Sequence, residues 1–277
     1  MTSKMKFGLI GHPIEHSLSP ALFKAGYDGR YPYDLIQTAD FEEAYARFLE
    51  EYDGINVTAP FKELAIKKAD ILSDECQKIG ATNLLVKTPE GIKAYNSDYR
   101  GLRLWIGQIS RLASLARNDK EKAVRNDKEK AARNDKMPTI LIVGLGGAGK
   151  AAAEAARSLG CDVTLMNRTQ YTDDIRPLSE FREAFKAADI IIYNLPVRLP
   201  ELDSLGQEDF IEGRPKYIME ANYRNPSFDD QLVEKLTGIH PHVKYTGGQT
   251  WLLLQALTGY EIFTGEKPDL EKMAARL

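Results

Sequence analysis

An α/β protein of two domains is predicted for this 277-residue chain by three observations. Short β-rich runs alternate with helical patterns over the first hundred residues. A second alternation begins at Thr139, and there a glycine-rich turn leads from an apolar run into an alanine-rich one. Alternation of strand and helix builds largely parallel sheets covered by helices, and the length accommodates two cores.

In the first series, KFGLIG (6–11), YDLIQT (33–38), GINVT (54–58), ATNLLVKT (81–88) and IKAYN (92–96) are β-rich runs with turn residues nearby. Between the second and third, Phe41, Ala44, Tyr45, Phe48 and Leu49 recur at i, i+3, i+4, i+7 and i+8, one face of a helix. Asp40 and Glu43 are spaced as the two ends of a capping box at its start. TPEG (88–91) supplies the turn before the last of these strands.

The second series opens with TILIVGLGGAG (139–149). The helix former KAAAEAARSLG (150–160) follows and ends at a capping glycine, Gly160. DVTLMN (162–167), ADIIIYN (188–194) and KYIMEA (216–221) are further apolar strand candidates. Between the two series lies RNDKEKAVRNDKEKAARNDK (117–136), an approximate octad repeat almost without large apolar side chains. It offers no continuous face for burial, so a solvated helix or loop inserted at the domain boundary is expected. Its interspersed acids argue against a nucleic-acid arm.

Composition excludes several classes. The chain is 43% hydrophobic and 28% charged, with a formal net charge of −3 and a pI near 5.9, which gives no global reason to bind nucleic acid. No apolar run approaches the ~20 residues that cross a bilayer. MTSKMKFGLIG passes straight into a strand, without the apolar core and cleavage site of a signal peptide. Two cysteines, Cys76 and Cys161, cannot make a disulfide framework and point to a reducing compartment. A cytoplasmic protein without nucleic-acid or membrane partners is expected, as a monomer or a homodimer.

Within GLGGAG, Gly144, Gly146 and Gly149 stand in G-x-G-x-x-G register around Gly147 and Ala148. The motif follows an apolar strand and opens a helix, the context its mechanism requires. Glycines permit a tight turn and close backbone approach, and the helix N-terminus offers N–H groups to a pyrophosphate. A Rossmann dinucleotide-binding domain is the expectation. About 20 residues further on, where NAD-selective sites carry an acid, the next strand ends in Asn167, Arg168 and Thr169. A guanidinium pairs with a 2′-phosphate and no carboxylate repels it, which favours NADP. The acidic QYTDD (170–174) weakens that preference without placing a carboxylate on the strand end.

With a nicotinamide cofactor in the second domain, the first is expected to hold substrate and move a proton. HPIEH (12–16) fits H-x-x-E-H, but that pattern binds zinc only on a helix, and here Pro13 places it in a turn; no metal is expected. In HSLSP, Ser17 and Ser19 can both point at one anionic or hydroxylated ligand, although capping alone accounts for them. In YNSDYRG, Asp98 ends a strand before a long helix starting near Gly101, and capping accounts for it as well. Lys62, in NVTAPFKE, follows a β-branched run and Pro60, at a strand end where chemistry is commonly placed.

The segments HSLSP, NVTAPFKE, GATNLL, YNSDYRG, GLGGAGKAA, NRT and LLLQA occur in the order found in the shikimate/quinate dehydrogenase family. The chain resembles that family over nearly its whole length except residues 117–136, and NVTxPFK with a downstream N-S/T-D is the most specific part. The resemblance implies that Lys62 is the catalytic lysine and Asp98 its partner across the reacting hydroxyl. It implies that Ser17 and Ser19 bind the substrate carboxylate, that Thr58, Asn83 and Gln255 bind ring hydroxyls, and that Tyr223 lies near the carboxylate. Gly144, Gly146, Gly147, Ala148, Gly149, Asn167, Arg168, Thr169 and Asn194 fall to the cofactor. Residues 1–101 become a substrate-binding catalytic domain completed by a C-terminal helix, 248–277, and residues 102–247 the NADP-binding Rossmann domain. The implied reaction is reversible, NADP-linked interconversion of shikimate and 3-dehydroshikimate in aromatic amino acid biosynthesis.

Some positions depart from the family pattern. Tyr99 stands where a glycine commonly follows the aspartate, YNLPVRLPE replaces an NATP loop while keeping Asn194, and Thr250–Trp251 replaces a glycine–methionine pair. Two other readings therefore accompany the leading one: a relative acting on quinate or an aminated analogue, and a nucleotide-binding module without turnover. Ser19 in place of threonine favours shikimate, and retention of both Lys62 and Asp98 favours turnover.

Overall fold

The computed structural model describes residues 5–124 and 137–277. The chain divides into two compact units, Met1–Leu102 with Trp251–Leu277, and Arg103–Thr250. The first carries β1 (Phe7–Gly11), α1 (Ser19–Gly26), β2 (Tyr33–Gln37), α2 (Phe41–Glu51), β3 (Gly54–Val57), α3 (Lys62–Ala65), β4 (Ile71–Leu72), α4 (Asp74–Ile79), β5 (Leu84–Thr88), β6 (Gly91–Tyr95) and the start of α5 (Ser97–Val124). Its sheet runs β2-β1-β3-β5-β6-β4.

That sheet is mixed rather than largely parallel. β1 is parallel to β2 and β3, and β4 to β6, but β5 is antiparallel to both its neighbours. Only Pro89 and Glu90 separate β5 from β6, enough for a hairpin and too few for a parallel crossover. The reversal gathers chemistry at one edge. Through the register Ile10↔Val57, Asn56↔Leu84 and Leu84↔Tyr95, the start of β5 lies beside the ends of β1, β3 and β6. Ala81, Thr82 and Asn83, read from the sequence as strand, precede β5 as irregular chain at that edge. The Thr82 hydroxyl holds it, bonding the Tyr95 carbonyl at 2.6 Å and accepting from the Leu84 N–H at 3.2 Å.

Two helix starts differ from the sequence expectation. Asp40 caps α2, accepting from the Glu42 N–H at 2.9 Å, but Glu43 does not reach back to close a capping box. Thr38 replaces it: its hydroxyl accepts from the Asp40 N–H at 3.1 Å and bonds Glu43 at 2.8 Å. Of the expected face, Phe41, Ala44 and Phe48 are buried, while Leu49, at the margin of the stripe, is exposed. Helix α5 begins at Ser97, ahead of the predicted start, and its cap is Asn96, whose Oδ1 accepts from the Tyr99 N–H at 3.1 Å. Residues 117–124 of the charged repeat continue α5, and residues 125–136 lie outside the described residues.

The second unit continues with β7 (Thr139–Val143), α6 (Gly147–Ser158), β8 (Asp162–Met166), β9 (Ile175–Arg176), α7 (Phe181–Ala187), β10 (Ile190–Tyr193), α8 (Pro200–Asp203), β11 (Lys216–Glu220), α9 (Asp230–Ile239) and β12 (Val243–Thr246). Its sheet runs β12-β11-β10-β7-β8-β9, and every pairing is parallel. That order, reversing at β7/β10, is the doubly wound arrangement in which ligands bind at the C-terminal ends of the strands. Leu141, Val143, Phe181, Phe185, Tyr193 and Ile218 are among its buried core.

Helices α10 (Gly248–Thr264) and α11 (Leu270–Ala274) complete the first unit. Phe263 stacks on Phe7 with ring centroids 4.8 Å apart, and Tyr260 meets Phe23 edge-on at 4.8 Å. Gly101 lets α5 cross α10 closely: a Cβ there would lie 2.7 Å from the Gln255 nitrogen. Among the described residues, no helix is long and apolar enough to cross a membrane.

Candidate active site

The chain leaves β3 at Val57, and the Thr58 carbonyl accepts from the Phe61 N–H at 3.0 Å, turning it into α3. Phe61 is buried, and the Lys62 carbonyl accepts from the Thr82 N–H at 3.2 Å, which anchors both ends of the lysine's backbone environment. Lys62 Nζ lies 2.5 Å from Asp98 Oδ2, with side chains 19% and 12% exposed. Because Asn96 caps α5, the Asp98 carboxylate is left for this ion pair. Its place in the first turn of α5 also favours negative charge there.

Ser17 and Ser19 lie together, their hydroxyls 3.2 Å apart, and Ser17 Oγ accepts from the Ser19 N–H at 3.3 Å. Neither is the capping residue of α1; that position is Leu18, without a side-chain cap. The Tyr260 hydroxyl donates to the Ser19 carbonyl at 3.1 Å, and burial pushes that phenol far above its ordinary range, so it stays a donor. Thr58 is half-buried against Gly11, where a Cβ would stand 2.4 Å from the threonine methyl. Asn83 and Gln255 meet through Asn83 Nδ2 and Gln255 Oε1 at 3.3 Å. Ser97, a residue of YNSDYRG whose role the sequence does not announce, is fully buried between them.

Tyr223 belongs to the second unit, half-buried in the loop after β11. Asn222 Oδ1 accepts from the Arg224 and Asn225 N–H groups at 3.1 and 3.2 Å. Fully buried Glu220 holds the loop's far end, accepting from the Ser227 N–H (2.5 Å), the Phe228 N–H (3.1 Å) and the Tyr245 hydroxyl (3.1 Å). Glu220 was also missed, although a lone acid in the apolar run KYIMEA is the signal that points to it.

The second unit's glycine turn follows β7. Gly144 takes φ +91°, a conformation that favours glycine, and a Cβ on Gly149 would lie 1.9 Å from the Gly144 carbonyl oxygen. Gly146, at the N-cap of α6, has open space where a Cβ would go. Asn167 ties this turn to the end of β8: its Oδ1 accepts from the Leu145 N–H at 3.3 Å and its Nδ2 donates to the Thr169 carbonyl at 3.0 Å. Arg168 and Thr169 are exposed beyond it. The Asn194 N–H donates to the Val143 carbonyl at 2.7 Å, while its side-chain oxygen is buried without a hydrogen-bond partner. Tyr193 closes the loop that follows, donating to the Val197 carbonyl at 2.7 Å and accepting from the Leu199 N–H at 3.1 Å. Burial pushes the Tyr193 phenol up to about 12. An open glycine at a helix N-terminus, an orphaned amide oxygen and an exposed guanidinium fit a phosphorylated dinucleotide.

Such a pair of α/β units, one with a lysine–aspartate pair at its sheet edge and one with a glycine turn, has the two-domain architecture of dehydrogenases. Residues 9–85 match the shikimate dehydrogenase substrate binding domain, and residues 103–218 match the NAD binding domain of D-isomer specific 2-hydroxyacid dehydrogenases. The first unit is similar to the substrate binding domain of shikimate dehydrogenases, and relatives of that name match the chain over both units. It is 30% identical over 171 residues to shikimate dehydrogenase of Thermotoga petrophila, matching 60% of this chain and spanning 56% of that relative's length. Shikimate dehydrogenase (NADP(+)) of Ignicoccus hospitalis is 29% identical over 99% of this chain and 98% of its own. The crystal structure of shikimate 5-dehydrogenase from Thermus thermophilus in complex with NADP(H) and shikimate superposes with a TM-score of 0.70 at 25% identity, covering 98% of each chain.

Proposed function

We propose that the protein catalyses the reversible NADPH-dependent reduction of 3-dehydroshikimate to shikimate, a step of chorismate and aromatic amino acid biosynthesis. The observation that carries this reading is the Lys62–Asp98 pair, 2.5 Å apart on the sheet edge that also holds Thr58 and Asn83. The names of the full-length Ignicoccus relative and of the Thermus structure support it. The first unit would then bind substrate and the second NADP.

Ser17 and Ser19 bind the ring carboxylate, and Thr58, Asn83 and Gln255 its hydroxyls. Reduction builds negative charge on the ketone oxygen; the Lys62 ammonium stabilises that charge and donates the proton, with Asp98 holding the amine in place. In reverse the amine receives the proton. NADP, when bound, supplies or takes up the hydride. Gly144, Gly146, Gly147, Ala148 and Gly149 hold its pyrophosphate, Asn167, Arg168 and Thr169 its 2′-phosphate end, and Asn194 a polar group beyond. The free, buried Cys76 and Cys161 suit a reducing cytoplasm.

Steady-state rates with shikimate and with quinate, each paired with NADP and with NAD, test the proposal. Shikimate with NADP is expected to give the highest kcat/KM. Faster quinate turnover would move the protein to the other branch of the family, and no turnover of either substrate would leave a nucleotide-binding module. Ser17→Ala is expected to raise the KM for shikimate about tenfold with little change in kcat, because it removes a hydrogen bond to a charged group. An unchanged KM takes Ser17 out of the carboxylate site. Arg168→Ala is expected to lower kcat/KM with NADP about tenfold or more while barely affecting NAD. Equal losses with both cofactors would defeat the 2′-phosphate assignment.

A further inference from the structure

We infer that Ser97 is a positioning residue that fixes the Gln255 carboxamide as a hydrogen-bond donor toward the substrate. The substrate's identity rests on the proposed function; the orientation of the amide does not. An amide's oxygen and nitrogen are nearly alike in size, so its orientation follows from its partners. Here one partner admits a single role. The Ser97 backbone N–H, one of the free donors at the start of α5, can only donate, and it meets the Asn83 side chain at 2.7 Å, so the atom there is Oδ1. The other end of Asn83 is then Nδ2, which can only donate.

Nδ2 lies 2.9 Å from Ser97 Oγ and 3.3 Å from the Gln255 carboxamide, so the Gln255 atom facing it is the acceptor, Oε1. Having accepted from Asn83, the Ser97 hydroxyl turns its own proton to the same Oε1, 3.2 Å away. Asn83 Nδ2 and the Gln255 oxygen are thereby committed to this cluster. Gln255 Nε2, with two protons, has no partner among the described residues. Gly259 makes room for this arrangement: a Cβ there would stand 3.1 Å from Ser97 Oγ. Ser97 and Asn83 are buried, whereas Gln255 is half-exposed, so the uncommitted group is also the accessible one.

A donor-only amide selects an oxygen lone pair, such as that of a hydroxyl or carbonyl, and disfavours a protonated amine at the position it reaches. Asn83 relays the orientation from Ser97 to Gln255.

The test uses the full-length protein. Ser97→Ala is expected to raise the KM for shikimate about tenfold with kcat within about threefold, and Ser97→Thr, which keeps the hydroxyl, to restore it. Gln255→Glu keeps the acceptor that faces Ser97 and replaces the donor with a carboxylate oxygen; KM is expected to rise about 100-fold. An unchanged KM in Ser97→Ala, no restoration by threonine, or a Gln255→Glu enzyme like the wild type overturns the inference. Side-chain amide exchange of the ¹⁵N-labelled wild type tests it without substrate and without a variant that must fold. The Asn83 amide is expected to be protected and the Gln255 amide to exchange freely; the reverse pattern overturns the orientation. The expected exchange pattern in a protein that does not turn over shikimate would sink the proposed function alone.

Discussion

Replacing Lys62 with alanine is expected to lower kcat for shikimate oxidation by about 10³-fold, with KM for shikimate changed less than about threefold. The geometry makes this the largest effect on chemistry. Lys62 opens α3 directly after the turn from β3, and its ammonium is 2.5 Å from a carboxylate that caps no helix. With the side chains only 19% and 12% exposed, solvent is a poor substitute for either partner. A group that exchanges a proton with the reacting oxygen acts in the transition state, so its loss falls on kcat. Removing it also leaves Asp98 without its cation, which costs stability as well as rate. The kinetics are therefore read well below the unfolding transition, and Asp98→Asn is measured beside Lys62→Ala. A KM increase with kcat preserved would move Lys62 from proton transfer to binding.

The two sheets differ in how far they could be read from the residues alone. The glycine turn announced itself because each glycine answers a separate backbone demand: Gly144 a positive φ, Gly146 open space, Gly149 contact with a carbonyl. The first sheet's mixed pairing was harder, since alternation of strands and helices does not reveal that the Pro89–Glu90 turn reverses β5. That reversal is what brings Asn83 to the edge that carries Thr58. β9 and β4 span two residues each, too short for any periodicity to register, and β12, VKYT, mixes charged and apolar residues. Capping could not be assigned from the residues, because Asn96 and Asp98 both suit an N-cap by type. Only the position at which the backbone enters the helix distinguishes them, and that choice frees Asp98 for Lys62. Ser97 escaped attention for a related reason: its role depends on the direction of two amides from Asn83 and Gln255, far apart along the chain.

Gly149→Ala and Gly146→Ala are expected to fail in opposite ways. At Gly149 the new methyl would lie 1.9 Å from the Gly144 carbonyl oxygen, a backbone atom that cannot swing aside as a side-chain tip would. The start of α6 must shift away from the end of β7, at a cost of about 3 kcal/mol in unfolding free energy, and the turn that presents N–H groups is lost with it. Gly146 has φ −67° and nothing within reach of a Cβ, so alanine there should leave the unfolding free energy within about 0.5 kcal/mol of the wild type. Its methyl nevertheless fills the space through which the backbone would approach a pyrophosphate. Titration calorimetry with NADP is expected to show affinity reduced about tenfold or more for Gly146→Ala, on a protein that melts like the wild type. If Gly146→Ala binds NADP normally, the open face at that glycine does not meet the phosphates, and the turn's glycines serve only to pack α6 on the sheet. If both variants lose stability together, the distinction between a packing glycine and a binding glycine in this loop is wrong.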